Sequence, residues 1–344
     1  MKKGLVTNLL LLLLTCSNTL HAQFKPPTGP VFDAMVKAYV ASFSTGETDG
    51  VKAQLPAMEK AFPGHPYTIF FQAFYQHASG NDLQAAMKGY SDAIRLMPEF
   101  SDPYVKRASL FADRGMYERA VADIDKAILA EGKNADAGMY SDRADFKMAA
   151  NDVAGAFEDM KRAISLAPSV ARFYRGASNI AFKLGNQAAM EPLFTTALNG
   201  TQSGNGEIHM EYATYLMRSQ QLDKAGSAYK KAMAGAGFIP TSKDYNTAGI
   251  IAYKLKDYPA AALLLDKGIA LDGRDADMIC NRASVAIDQQ KWEEVYQYAQ
   301  KALAADAKNA SANMMMAIGI KRTNRGDALA ASYEAKAKQF EAGN

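Results

Sequence analysis

The 344-residue chain has two cysteines, Cys16 and Cys280, four histidines and one tryptophan. So few cysteines exclude a disulfide scaffold. The histidines stand at 21, 65, 77 and 209 and share no metal-ligand spacing, so no metal site is expected. An excess of one charge is also missing. There are 39 basic and 36 acidic residues, and beyond residue 22 the balance is 37 against 36. A nucleic-acid partner would need a concentrated basic face, and none is written here. Gly-rich phosphate loops, nucleophile elbows and H-E-x-x-H are all absent. Glu293 and Glu294 are adjacent, point to different helix faces and read as solvated, not as an acid–base pair. Cys280 has no histidine within 70 residues and reads as a small buried or half-buried thiol. His77 and His209 read as core positions, and His65, in "PGHP", as part of a turn. This vocabulary predicts neither an enzyme nor a cofactor.

Long apolar runs are missing as well, so no span of the bilayer is expected. The start, "MKKGLVTNLLLLLLTCSNTLHAQ", has two lysines, a leucine core at 9–14 and then small and polar residues. That is the layout of a secretory signal, placed at 1–22 with cleavage after Ala22. It predicts an exported, periplasmic protein. A second reading makes Cys16 lipid-bearing; "LLTC" fits it poorly, because the bacterial lipoprotein pattern prefers Gly, Ala or Ser where Thr15 stands. Once the signal is cleaved, Cys280 is alone, and stability must come from packing.

What the chain has in quantity is one helix, rewritten. "GMYERAVADIDKAI" at 115–128 returns as "NDLQAAMKGYSDAI" at 81–94, "NDVAGAFEDMKRAI" at 151–164, "KDYPAAALLLDKGI" at 256–269 and "QKWEEVYQYAQKAL" at 290–303. The final apolar residues Ile94, Ile128, Ile164, Leu198, Met233, Ile269 and Leu303 are 34, 36, 34, 35, 36 and 34 residues apart. A period this steady marks a repeat array. A further helical pattern precedes each copy, as in "DPYVKRASLFADR" at 102–114. Within 101–134, Tyr104, Ala108 and Phe111 share one face, and Ala120, Ile124 and Ala127 share another. The alanines let two backbones approach closely. Gly115 opens the turn, and "SGND", "MAAND", "KLGN" and "KLKD" stand at the equivalent turns. Pro98 and Pro168 stop second helices. Arg107, Arg143 and Arg282 recur in phase. Asp123 and Asp159 also recur, so an Arg–Asp contact is expected within the first two units. Tyr298 stands at that place in the third, which leaves Arg282 without this partner.

The pattern resembles the tetratricopeptide repeat family, exported bacterial members included. The resemblance is carried by Tyr140, Ala144, Ala156, Met160, Ala163 and Pro168 in 137–170, and by Tyr245, Gly249, Ala252, Ala261, Leu265 and Gly268 in 242–275. The unit 67–100 departs from it, with Phe74 at the small eighth position and His77 at the aromatic eleventh. The units 171–204 and 206–239 are weaker still. The resemblance implies an all-α fold, an α–α superhelix of about eight helix–turn–helix repeats with an N-terminal helical cap. The expected limits are a linker at 23–30, a cap or degenerate repeat at 31–66, seven repeats at 67–309 and a degenerate C-terminal repeat and cap at 310–344.

In this family the first helix of each pair lines a concave groove. The positions that correspond here include Phe71, Tyr75, Asp145, Arg172, Arg175, Asn179, Met210, Thr214, Asn246, Tyr253 and Cys280. The groove expected to hold a partner is therefore Arg172, Arg175, Asn179, Asp145, Met210, Thr214, Asn246 and Tyr253, and the partner is a protein or an extended peptide. Arg175 and Asn179 come near the family's carboxylate clamp, but Thr214, Lys243 and Thr247 do not complete it. The resemblance thus implies a non-enzymatic scaffold. The alternative is an accessory enzyme or carbohydrate-handling factor with a shallow site built from Asp145, Arg175 and Asn179.

Overall fold

The computed structural model describes residues 24–235 and 237–342. The expected signal segment, with Cys16 and His21, lies outside them. Among the described residues there are eighteen α-helices and no strand. The first eight are α1 (Pro30–Thr45), α2 (Asp49–Ala61), α3 (Pro66–Ala78), α4 (Leu83–Leu96), α5 (Ser101–Ala112), α6 (Tyr117–Glu131), α7 (Ala137–Ala149) and α8 (Val153–Leu166). Then come α9 (Ala171–Lys183), α10 (Met190–Asn199), α11 (Gly206–Arg218), α12 (Leu222–Ala234) and α13 (Ser242–Lys254). The last five are α14 (Tyr258–Leu271), α15 (Ala276–Asp288), α16 (Trp292–Ala305), α17 (Ala310–Arg322) and α18 (Asp327–Glu341). They follow one another as helix–turn–helix pairs.

Short-range chemistry sets the ends of these helices. Asp82, Asp152 and Asp257 accept from the first backbone N–H groups of α4, α8 and α14. Asp136, Asn205, Asp275 and Asn309 do so for α7, α11, α15 and α17. Thr241 and Asp244 form a reciprocal capping box on α13. His65, read from sequence as a turn residue, caps α3 through its ring: Tyr67 N–H donates to Nδ1 over 3.3 Å.

The turn inside each pair needs one residue in the left-handed region. Gly46, Gly80, Gly115, Asn151, Gly185, Gln220, Lys256, Gln290 and Asn324 fill that place, all at positive φ and 34 to 36 residues apart. The period seen in the apolar residues is therefore also a period in backbone geometry. Glycine meets the requirement at no steric cost, while Lys256 and the two glutamines carry it against their own preference.

The chain divides into two compact units. One runs to Ala167 and includes Asn179–Gly185; the other holds Pro168–Ser178 and the chain from Asn186 on. In the first, an aromatic core fills α1–α4, with Tyr39, Phe70, Phe71, Phe74, Tyr67 and Phe100 buried together. Phe74 stands edge-on to Tyr39, the ring centres 4.7 Å apart. The bulky eighth position of this pair thus faces a ring, not a second backbone. Close approach is moved to Gly89, where a Cβ would lie 2.7 Å from that of Ala73. The pair α5–α6 packs on Ala108, Ala120 and Ile124. In the second unit, Ala248, Ala252, Ala261, Ala283, Ala286, Ala299 and Ala302 are buried completely.

Candidate functional site

The expected groove residues do not all reach a surface. On α9, Arg172, Arg175 and Asn179 are exposed, three and four residues apart and on one face. Asp145 is exposed on α7. Asn246 and Tyr253 are half-buried on α13, as is Thr214 on α11, whose hydroxyl donates to the Met210 carbonyl over 3.0 Å. Met210 is a correction: it is 3% exposed and belongs to the core. Most of the circumference of α11 is buried, from Ile208 to Glu211 and again at Ala213, Tyr215 and Leu216. Glu211, one residue on, takes the polar position. Phe71 and Cys280 likewise fall in the core, at 2% and 4% exposure. Burial, with Asp277 and Asp275 nearby, pushes the Cys280 thiol up to about 12, so it is not a thiolate at neutral pH.

Three of these residues, Arg175, Asn246 and Tyr253, are tied to a neighbouring first helix. Arg175 donates through Nε to Glu211 Oε1 over 2.8 Å. Glu211 is buried, so the guanidinium compensates an otherwise stranded carboxylate, and that hydrogen bond holds the arginine protonated. Asn281 on α15 donates to Asn246 on α13 over 3.0 Å. Tyr253 hydrogen-bonds Asp288; its burial and that carboxylate push the phenol up to about 12. Each contact joins residues about one repeat apart. Glu211, Asn281 and Asp288 were not among the sequence-predicted positions. Their one-period separation from Arg175, Asn246 and Tyr253 was the signal that could have found them.

The recurring arginines are internal struts. Arg107 donates to both oxygens of Asp123 at 2.7 and 2.8 Å, and to Ser91 Oγ at 3.0 Å. Arg143 donates through Nε to Asp159 over 2.8 Å and through a terminal nitrogen to Asp125 over 2.7 Å. The pairs with Asp123 and Asp159 are the contacts expected within the two units, while Asp125 lies in the preceding unit and was not foreseen. Arg282, as expected, lacks an aspartate at the place of Tyr298, but it is not left unpaired. It pairs with Asp266 at 3.1 Å and Glu294 at 2.9 Å, and its guanidinium lies 4.5 Å from the centre of the Tyr298 ring. Asp266 stands sixteen residues before Arg282, the place Ser91 holds relative to Arg107, so the carboxylate has moved to the preceding helix pair. Tyr298 keeps a role by donating to the same Asp266 over 2.7 Å. Glu294 is therefore not a solvated charge, and Glu293 accepts from Arg325 over 2.8 Å.

The histidines are held by structural contacts. His209 is buried, with Nε2 2.8 Å from the Ser203 carbonyl, and half-buried His77 lies 3.2 Å from the Tyr90 hydroxyl. Among the described residues no group of three or more His, Cys, Asp or Glu could hold a metal ion, and no helix is long and apolar enough to cross a membrane.

No family model and no curated protein matches this sequence. Solved structures do match the fold. Yeast Tom70 superposes with a TM-score of 0.54 at 16% identity, over 94% of this chain and 70% of that one. The C-terminal part of a TPR repeat-containing protein from Cytophaga hutchinsonii gives 0.52 at 15% identity, over 71% and 97%. Cut9, solved in the APC/C hetero-tetramer Cut9–Hcn1, gives 0.50 at 13% identity over 92% of this chain; the match spans 52% of that structure's chain. The chain has the tetratricopeptide-repeat fold.

Proposed function

We propose that this protein is an exported, non-enzymatic scaffold that binds an extended polypeptide segment along the face formed by its first helices. One observation carries the reading. Polar groups on these helices are held in place from one first helix to the next, Arg175 of α9 by Glu211 of α11, and Asn246 and Tyr253 of α13 by Asn281 and Asp288 of α15. A peptide laid across them would meet donors and acceptors already fixed, at little cost in ordering side chains. The exposed Arg172, with Arg175 beside it, offers planar donors to backbone carbonyls or carboxylates. The fold agrees with this role, since Cut9 was solved in a hetero-tetramer with Hcn1. Export is read from the first 22 residues.

Arg175→Ala is a poor test, because it would leave Glu211 buried without its cation and destabilise the fold by about 1–3 kcal/mol. Among the described residues Arg172 has no such partner; its guanidinium lies 5.1 Å from the ring of the neighbouring Phe173. The experiment is capture of partners from the exported fraction by the full chain, by Arg172→Glu, and by Lys230→Glu on the second helix α12. Capture should fall at least about fivefold with Arg172→Glu and hold with Lys230→Glu, with melting unchanged in both. If Lys230→Glu loses the partner and Arg172→Glu keeps it, the partner uses the second helices and this reading is wrong.

A further inference from the structure

A cleft of about 170 Å³ opens in the first unit, and none of the expected groove residues lines it. Its wall is aromatic. Phe43 on α1 is 55% exposed, and Tyr67 stacks on Phe100 with ring centres 4.1 Å apart. Its floor is acidic. Glu99, Asp102, Glu131 and Asp136 line it, against a single lysine, Lys106. The four carboxylates come from the loop before α5, the first turn of α5, the end of α6 and the cap of α7, so the fold gathers them from separate stretches of chain.

Glu131 accepts from Ser101 Oγ and Asp136 caps α7, but the other two carboxylates are incompletely satisfied from within. Glu99 Oε1 is buried and has no hydrogen-bond partner among the described residues. Asp102 accepts no hydrogen bond among the described residues, and Lys106, four residues on, makes no ion pair there. The Lys106 ammonium lies instead 4.7 Å from the centre of the Phe43 ring and 5.6 Å from that of Phe74. That contact shows the wall accepting a cation on its π faces. A net negative cleft with unmet acceptors and an aromatic wall calls for a positive donor on an apolar stem. Its size is below the roughly 300–1,000 Å³ of sites for whole small molecules and suits one side chain.

We propose that this cleft binds a basic side chain, lysine or arginine, of a polypeptide, with the charged head set against the carboxylates and the aliphatic stem laid on the rings. The proposal deepens the peptide-binding reading but stands on different residues, so the two can fail separately.

The site carries its own pH signature. Burial pushes the Asp102 carboxyl up to about 6, with Glu131 and Asp136 adding to the rise and Lys106 opposing it. Tyr39 from α1 and Tyr90 from α4 also face it, and Glu99 and Tyr67 line the same cleft. A bound cation favours the ionised form, so binding should strengthen as pH rises through about 6. For folding the sign is opposite. A carboxyl raised above its unfolded value stabilises while protonated, and that contribution is lost as pH rises towards about 6. Asp102→Asn should therefore melt no lower than the native chain at neutral pH.

The experiment titrates short labelled alanine peptides with a central Lys, Leu or Glu into the full chain. At about pH 7.5 the Lys peptide should bind at least about tenfold more tightly than the Leu peptide, and lowering to about pH 5 should cost about tenfold. Phe43→Ala and Asp102→Asn should each weaken the Lys peptide by about tenfold without lowering the melting temperature, while Arg172→Glu leaves it unchanged. Equal binding of the Lys and Leu peptides, or native affinity in both cleft variants, overturns the proposal. Loss of the Lys peptide with Arg172→Glu places it on the first-helix face and overturns the cleft. Pentylammonium binding as tightly as the Lys peptide assigns the cleft to a free amine and overturns the polypeptide source.

Discussion

The pairs α1–α4 and the pairs α13–α16 build the same helix–turn–helix unit in two ways. In α1–α4 the space between helices is filled by rings: Phe70 is fully buried, its ring centre 5.1 to 6.0 Å from those of Tyr39, Phe71, Tyr90 and Phe100. In α13–α16 the helices close on alanine and glycine. A Cβ on Gly249 would come 2.6 Å from Leu265 Cγ, and one on Gly268 would come 2.6 Å from Met278 Sδ. The turn geometry is common to both, with Gly46 and Gly80 in one region and Lys256 and Gln290 in the other at the left-handed position. The comparison teaches that the period is fixed by the turns and the helix lengths, while the filling is free to change. A ring-filled pair stores its stability in a few large side chains. An alanine-filled pair spreads it over close backbone contacts that tolerate no added volume.

The largest effect expected is on the ring-filled side. Phe70→Ala should cost about 3–5 kcal/mol, because the rings around it cannot all collapse into the gap. Denaturant melting followed by near-ultraviolet circular dichroism reads those rings directly. A loss under about 1 kcal/mol would mean that the cluster repacks as easily as a loose core.

The opposite change probes alanine filling in a pair that lies outside both regions but packs as α13–α16 does, on buried alanines. Ala127 on α6 is fully buried in the pair α5–α6. Ala127→Leu should cost about 1–3 kcal/mol by forcing the two helices apart. Urea melting of the full chain measures it, and native stability in that variant would show that α5 and α6 have room to spare.

The smallest effect sharpens what the two regions share. Lys256 is exposed, with φ of 62° in the turn before α14. Lys256→Gly should relieve the left-handed strain and, after the entropy glycine adds to the unfolded chain, raise stability by about 0.5–1 kcal/mol. Gly115→Lys in the equivalent turn should lower it by a similar amount. A melting temperature that moves the same way in both variants would break the argument that these turns are equivalent.

Much of this was legible in the chain and some was not, for identifiable reasons. Ala108, Ala120 and Ala127 announced a close helix pair, and the 34- to 36-residue ruler announced the array. Arg107 with Asp123 and Arg143 with Asp159 could be paired from their phase alone. Arg282 could not, because its partner Asp266 lies in the preceding pair and breaks the phase. Met210 was misplaced by one residue for a related reason. Arg175 and Glu211 are 36 residues apart, one more than the step that would carry Arg175 onto Met210, so Glu211, not Met210, meets Arg175.

By itself the sequence determined the fold class, the repeat period and the turns marked by glycine or asparagine. These are local matters of helix periodicity and backbone sterics, repeated often enough to outweigh any single departure. Only the tertiary structure decided which polar groups are spent on one another. Whether Arg175 is a free cation or the strut of a buried carboxylate, and whether Glu99, Asp102, Glu131 and Asp136 share one cleft, depends on distances between residues that are up to 37 positions apart in the chain. Side-chain interactions fall off over a few ångströms, so the order of residues along the chain cannot settle them.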